Sequence, residues 1–293
     1  MGFKFKPFAK AGGWLLLFVV SSVAVIFSVG AFGIATDNEY IVGGLVAYEF
    51  CMEAVAGSFP TDDIIRHGYL LQAANFTMVL LFLSYIPVLA VSGVKAYRNR
   101  ESISLPKPML VLFVCFAAAA INLVLEGVAL ALAPLVPESE SNMLEFAMML
   151  ATGGSPYATI IISGILAPVV EELVLRQGVQ KSLQEINPVF AIVAASAIFG
   201  VLHGNLVQGV FAGIFGLALG YVYYKTGNLA YSIAMHITVN LTGCIISIAA
   251  LPEMPVYVGV ALALGIAFAI ANRIAPEKCE LSMVMPVRFR YGS

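Results

Sequence analysis

Charge is the scarcest property of this sequence. Only 11% of its 293 residues are aspartate, glutamate, lysine or arginine, which is less than half of the roughly 25% found in soluble proteins. So few charged side chains could not cover the surface of a water-soluble domain of this size. The net charge is close to neutral, at −2, and the basic residues form no cluster that would indicate a nucleic-acid-binding protein.

Cysteine and histidine are scarce as well. One of the three histidines, His67, falls in a predicted loop and is interpreted as an ordinary solvated residue. No two of the four cysteines have the spacing of a metal site or a redox motif, so we interpret them as free thiols that fill gaps in helix packing. These four are Cys51, Cys115, Cys244 and Cys279.

Hydrophobic residues make up 60% of the chain and are concentrated in long runs. A helix that spans a bilayer needs about 20 predominantly apolar residues. Eight runs are predicted to be transmembrane helices: 13–34, 69–94, 109–134, 157–180, 188–203, 207–224, 229–250 and 256–271. The fifth and eighth are short, and the fifth needs either a tilt or a partner helix that covers its end. The sequence therefore predicts an all-α polytopic membrane protein with eight transmembrane helices.

The basic residues predict the orientation of these helices. Short cytoplasmic loops carry an excess of lysine and arginine, and such loops alternate with acidic ones along this sequence. Eight helices with both termini in the cytoplasm satisfy every loop, and a bacterial plasma membrane is the predicted location. The first run follows Lys4, Lys6 and Lys10 like a signal peptide, but it is about twice the usual length, which favours a retained helix.

No internal repeat or low-complexity tract divides the chain, so we interpret residues 1–293 as a single membrane domain. The partly apolar segment 40–59 is predicted to be a helix that lies on the outer surface of the membrane. A break at 134–156 separates two halves. The first half shows no evident chemistry apart from a lone membrane glutamate, Glu126, whereas the second half has several polar residues in its helices.

The stretch LAPVVEELVLRQGVQ, within the fourth run, holds most of the charge inside the predicted membrane helices. Each such residue costs about 3 kcal/mol on insertion and usually lines a cavity or marks a functional site. Glu172 and Arg176 are four residues apart, so they share a helix face and can pair. Glu171 points about 100° away and is available for another role. Pro168 removes a backbone hydrogen bond, which is predicted to kink the helix and to free a carbonyl.

Two further helices carry polar residues at the same four-residue step. The fifth run ends with Phe199 and His203, and the seventh contains His236 and Asn240. Together with Glu171, they supply a carboxylate, two imidazoles and an amide. A carboxylate and a histidine can deprotonate a water molecule, and a second histidine and an amide can donate to an oxyanion. The sequence therefore predicts a polar site between helices four, five and seven that suffices to hydrolyse an amide bond.

The three motifs resemble those of the CPBP family, also called the Abi family. EExxxR covers 171–176, FxxxH covers 199–203 and HxxxN covers 236–240, within a motif-bearing core at 155–242. The family includes type II CAAX prenyl endopeptidases and bacterial bacteriocin-processing or self-immunity proteins. The resemblance implies an eight-helix intramembrane protease that acts on a membrane-associated peptide or protein, with or without a lipid group.

The resemblance also implies a role for each motif residue. Glu171 and His203 would activate the nucleophilic water, and Phe199 would support His203. His236 and Asn240 would bind the scissile carbonyl and stabilise its oxyanion. The remaining motif residues, Glu172 and Arg176, would form a structural ion pair.

Two alternatives follow from the same residues. Glu171, His203 and His236 could ligate zinc, since three protein ligands are typical of a catalytic zinc site, but the sequence lacks HExxH and a metal-free mechanism is favoured. The chain could also be a transporter or receptor that binds a ligand at the Glu/His/Arg site without cleaving it. The lack of inverted repeats argues against that function.

The depths of these residues in their helices raise a geometric question. At about 1.5 Å per residue, His203 lies about 24 Å along its helix from Pro188, farther than Glu171 and His236 lie from the cytoplasmic ends of theirs. The fifth helix is therefore expected to begin outside the bilayer or to tilt strongly, since otherwise the three side chains would not meet.

Overall fold

The computed structural model describes residues 5–55, 63–99, 106–137 and 154–274, together with Ser141, Leu144 and Met148. At 48–55, 63–70, 96–99 and 274 it describes the backbone alone. Every regular element in these ranges is helical, so the predicted all-α class is confirmed. The helices, numbered in chain order, are α1 Phe5–Thr36, α2 Glu39–Val55, α3 Asp63–Asn99, α4 Pro108–Leu132, α5 Pro156–Leu183, α6 Pro188–Val201, α7 Leu206–Thr226, α8 Leu229–Ala249 and α9 Glu253–Ile274. Predicted helices four, five and seven correspond to α5, α6 and α8.

Within the described ranges, seven helices rather than eight are long and apolar enough to cross a membrane. The predicted fifth span, 188–203, is the exception, because α6 has only 14 residues and ends at Val201. The helix stops there for a local reason. Gly204 adopts a positive φ of 74°, which ends the helix. Asn205 then caps the start of α7, because its side chain accepts a hydrogen bond from the backbone N–H of Gln208 in the first turn.

The predicted surface segment 40–59 is largely helical, since α2 extends to Val55. Residues 56–59 lie outside the described part of the chain. That α2 lies on the outer membrane surface stays a prediction. The described cysteine side chains, Cys115 and Cys244, are free thiols. The side chains of Cys51 and His67 and the whole of Cys279 lie outside the described residues.

Asparagine residues begin the three helices that follow α5. The side chains of Asn187, Asn205 and Asn228 each accept a hydrogen bond from a backbone N–H in the first turn of the next helix. These caps satisfy donors that a helix start otherwise leaves open. The connections are only a few residues long, so the helices from α5 to α8 fold back on one another and the motif-bearing segments become neighbours.

α5 is a composite helix at the centre of the fold. Two π-helical segments, Thr159–Leu166 and Leu173–Gln180, lie on either side of the α-helical segment Ala167–Glu172. Of the residues in its most apolar stretch, 44% are buried, a larger share than in any other described span. One apolar cluster joins α5 to α1, α3 and α6, and a second joins it to α4, α6, α7 and α8. π-helical turns are rare and occur frequently at functional sites.

Candidate active site

α5 contains a buried ion pair. Glu172 and Arg176 are both inaccessible to solvent, and Nε of Arg176 lies 3.2 Å from Oε2 of Glu172. Residues four apart share a helix face, and the pair forms where the α-helical segment passes into the second π-helical segment. Either charge alone would be costly in a membrane interior, so the pairing makes both tolerable there.

Glu171 is turned away from this pair and stays partly accessible. Its side chain is 24% exposed, whereas the side chain of Glu172 is fully buried. Oε2 of Glu171 lies 3.6 Å from Nε2 of His236, which α8 contributes. The two adjacent glutamates therefore have different surroundings. Glu172 is the buried partner of an arginine. Glu171 lies beside an imidazole, and a small molecule such as water can reach its carboxylate.

His236 lies between the two glutamates. Its Nδ1 is 3.2 Å from Oε1 of Glu172, and a carboxylate paired with arginine can only accept hydrogen bonds. Nδ1 therefore carries a proton and donates to Glu172, while Nε2 faces Glu171. Ser232, buried one turn earlier on α8, can donate either to the carbonyl of Leu229 or to the Glu172 carboxylate.

His203 lies just beyond the helix that leads to it. α6 ends at Val201, and half-buried His203 belongs to the following turn. Its Nδ1 is 2.8 Å from the carbonyl oxygen of Phe199, so Nδ1 carries the proton and the lone pair of the neutral ring is on Nε2. His203 and Glu171 are near enough for their charges to interact. The side chains come together although α6 is too short to cross the membrane.

The ring of Phe199 lies at the centre of the site. It packs edge-on against His203 at 4.8 Å and against His236 at 5.4 Å between ring centroids. The guanidinium carbon of Arg176 lies 5.7 Å from the centroid of the same ring. Phe215 on α7 adds a second edge-on contact to His236, at 6.1 Å. Both imidazoles are therefore held by aromatic packing as well as by a hydrogen bond at Nδ1.

Asn240 binds α8 to the first π-helical segment of α5. Its Nδ2 donates to the backbone carbonyl of Ser163 over 3.1 Å. In this segment the N–H of Ala167 bonds the carbonyl of Ile162, five residues back. In the same register, the residue that should donate to the carbonyl of Ser163 is Pro168, five residues later. Proline has no backbone N–H, so this bond cannot form. Asn240 therefore donates at the position where the proline supplies no donor.

This arrangement predicts an energetic coupling between Asn240 and Pro168. Asn240→Leu removes one hydrogen bond to Ser163, and we expect a loss of about 1 kcal/mol of stability, or about 2–4 °C in melting temperature. Pro168→Ala supplies a backbone N–H, so Asn240→Leu should cost less in that background. Thermal melts in detergent of both single variants and the double variant measure this, and strictly additive shifts would contradict the coupling.

Several residues near the site were not recognised from the sequence. Gln180, fully buried on α5, follows Arg176 by four residues, and Ser232 precedes His236 by four, so extending the four-residue steps would have found both. Tyr85 on α3 is buried and interacts electrostatically with Glu171. No signal in the sequence relates Tyr85 to the motifs, because its proximity arises from the packing of α3 against α5.

The residues named for a zinc site do not fit a metal in this arrangement. Among the described residues, no three side chains of histidine, cysteine, aspartate or glutamate form a group that could hold a metal ion. The lone pairs on Nε2 of His203 and His236 are of the kind that zinc accepts, and Glu171 has a suitable carboxylate. The three side chains are nevertheless not arranged as a common ligand set among the residues that the structure describes.

Comparison with known proteins shows what the sequence around this site is similar to. Residues 153–242 match the model of type II CAAX prenyl endopeptidase Rce1-like proteins, a range that contains all seven motif residues of the site. The Bacillus subtilis (strain 168) protein YdiL, named as a candidate membrane peptidase, is 27% identical over 195 residues, which cover 63% of this chain and 75% of YdiL. No solved structure matches the chain. Over residues 153–242, this integral membrane protein is therefore similar to the CPBP, or CAAX protease, family of intramembrane peptidases.

Proposed function

We propose that this chain is an intramembrane endopeptidase that hydrolyses a peptide bond of a membrane-associated peptide or protein, with a water molecule activated by Glu171 and His203. The observation that carries the proposal is the contrast between the adjacent glutamates. Glu172 is fully buried with Arg176, whereas Glu171 is 24% exposed beside an imidazole. Hydrolysis needs a carboxylate that water can reach and that its neighbours hold in place.

In the proposed first step, Glu171 accepts a proton from the water molecule while the water oxygen adds to the scissile carbonyl carbon. The lone pair on Nε2 of His203 orients the water by accepting its second hydrogen bond. The imidazole does so without rotating, because Phe199 fixes it through the carbonyl bond at Nδ1 and the ring contact. The negative charge moves to the carbonyl oxygen of the tetrahedral intermediate.

In the proposed second step, the oxyanion is stabilised and the carbon–nitrogen bond breaks. The amide of Asn240 has two N–H groups, of which one bonds Ser163 and the other is available to the oxyanion. His236 donates to the oxyanion when Nε2 also carries a proton. The electron pair of the oxyanion re-forms the carbonyl, and protonated Glu171 returns its proton to the departing amine. The products are a carboxylic acid and an amine, with one water consumed.

The proposed substrate is a peptide segment held at or in the membrane, because the candidate site residues lie on α5 and α8, which are long and apolar enough to cross the bilayer, and in and just after α6. The description of the family names prenylated CAAX substrates, so a lipid group on the peptide is the first variable to test. We further propose that both termini lie in the cytoplasm of a bacterial cell. Nucleic acid is not among the proposed partners.

A cleavage assay tests the proposal directly. The purified protein is reconstituted in vesicles with one peptide sequence in two forms, with and without a prenyl group, and in water enriched in oxygen-18. We expect mass spectrometry to find one cleaved bond and one labelled oxygen in the new carboxyl terminus, since water supplies it. Binding of both peptides without cleavage would instead favour the transporter or receptor function.

Chelation separates the two ways of activating water. If Glu171 and His203 act without a metal, a strong chelator should leave the cleavage rate unchanged, and the purified protein should contain no stoichiometric zinc by elemental analysis. Loss of activity on chelation that zinc restores would overturn the metal-free mechanism. A chelator with weak affinity for zinc serves as the control for nonspecific effects on the vesicles.

A further inference from the structure

A second four-residue step extends the buried polar face of α5. Glu172, Arg176 and Gln180 follow one another at this spacing, and all three side chains are fully buried. Gln180 lies at the end of the second π-helical segment, and its Nε2 donates to the backbone carbonyl of Gly220 on α7 over 2.8 Å. This hydrogen bond fixes the orientation of the Gln180 amide, because Nε2 points to the carbonyl of Gly220 and Oε1 points away from it.

The guanidinium of Arg176 and the amide of Gln180 each have buried atoms that lack a hydrogen-bond partner within the described structure. These atoms are Nη1 and Nη2 of Arg176, which are donors, and Oε1 of Gln180, which is an acceptor. Unpaired buried polar atoms cost free energy, and those of a charged group cost the most. A donor and an acceptor left open one helical turn apart can satisfy each other directly or through one water molecule.

Gly220 on α7 lies beside atoms of both groups. A Cβ atom at this position would lie 2.8 Å from Oε1 of Gln180 and 3.6 Å from Nη1 of Arg176. Both atoms therefore border the small volume above the Cα of Gly220. Any larger residue would fill that volume and push the Gln180 amide away.

We propose that Gln180 is a positioning residue for the reaction, and that it acts by fixing the guanidinium of Arg176 through Oε1. The chain of contacts then continues from Arg176 to Glu172 and from Glu172 to Nδ1 of His236, whose Nε2 faces Glu171. A neutral amide suits this position because it supplies an acceptor to the arginine without adding a second buried charge. The inference rests on the proposed function, because Gln180 affects hydrolysis only through the residues that surround Glu171.

Two variants and a matched control test this series of contacts through the enzymatic activity. Gln180→Met removes the amide at similar size, and Gly220→Ala crowds it; we expect each to lower kcat by about tenfold to a hundredfold, as small misplacements of catalytic groups do. Gly213→Ala, on the same helix, is the control, because a Cβ there meets only the carbonyl of Ser196 at 3.6 Å. The pH at which activity is half lost on the acid side should also move in both test variants and not in the control. A merely structural defect would leave that pH unchanged.

A second measurement keeps the inference testable apart from catalysis. Thermal melts of Gln180→Met, Arg176→Met and the double variant form a cycle, and we expect the effect of Gln180→Met to shrink by at least half once Arg176 is gone. Additive melting shifts, or equal kinetics for Gly220→Ala and Gly213→Ala, would overturn the role of Gln180. If the wild-type protein cleaves nothing, the proposed function fails, whereas the melting cycle still decides whether the contact exists.

Discussion

Replacing Glu171 with glutamine should abolish peptide-bond hydrolysis and leave the protein folded. The amide has the same shape but cannot take the proton from water, and general base catalysis contributes about 10²–10⁴-fold to a rate. Because the Glu171 side chain is 24% exposed and is not the partner of Arg176, its replacement leaves no buried charge unpaired. Cleavage assays and thermal melts of the same preparations would measure the two expectations together.

A second membrane glutamate offers a matched control for this experiment. Glu126 lies on α4, near Asn122 and Glu253, and is not among the site residues around Glu171. We expect Glu126→Gln to keep its hydrolytic activity. Equal losses in the two variants would show that activity responds to any membrane carboxylate, and Glu171 would then lose its assignment as the base.

Replacing Glu172 with alanine should instead unfold the protein at a much lower temperature. The change leaves the guanidinium of Arg176 buried without its carboxylate and removes the acceptor at Nδ1 of His236. Breaking a buried ion pair from one side typically costs about 3–5 kcal/mol. At about 2–4 °C per kcal/mol, the melting temperature should fall by about ten degrees.

Removing the arginine as well tests the reason for that loss. The double variant Glu172→Ala, Arg176→Met has no unpaired charge, so we expect it to melt at a higher temperature than Glu172→Ala alone. If Glu172→Ala melts like the wild-type protein while Glu171→Gln does not, the roles of the two glutamates must be exchanged. Circular dichroism in a mild detergent is sufficient for both comparisons.

The local parts of the site are those that the sequence could predict. Glu172 and Arg176 pair because four residues separate them on one helix, and this requires no knowledge of the fold. The same helix geometry directs Glu171 elsewhere. The end of α6 was missed although Gly204 and Asn205 are ordinary signals for a helix stop and a helix start, because they stand inside an apolar run.

The parts that depend on packing could not be predicted. Nothing in the sequence indicates that His236 lies between both glutamates, since that position depends on how α8 rests against α5. The π-helical segments have no composition that distinguishes them from α-helix, so the register that brings Asn240 to Ser163 was not foreseen. Tyr85 lies beside the motifs only because α3 packs there.

The shortness of α6 has a consequence for the lipids around the protein. Fourteen residues extend about 21 Å, whereas the hydrocarbon layer is about 30 Å thick, so an α6 that begins at one membrane surface would place the turn at 202–205 at the depth of the acyl chains. Exposed backbone is not tolerated in lipid. In the turn, the N–H groups of Leu202, His203 and Gly204 bond carbonyls of α6, and the amide of Asn205 bonds the His203 carbonyl and the Gln208 side chain. The carbonyls of the turn that have no such partner would draw head groups and water toward it. The protein would thin the bilayer on this flank, and the hydrophobic mismatch it experiences would depend on acyl-chain length.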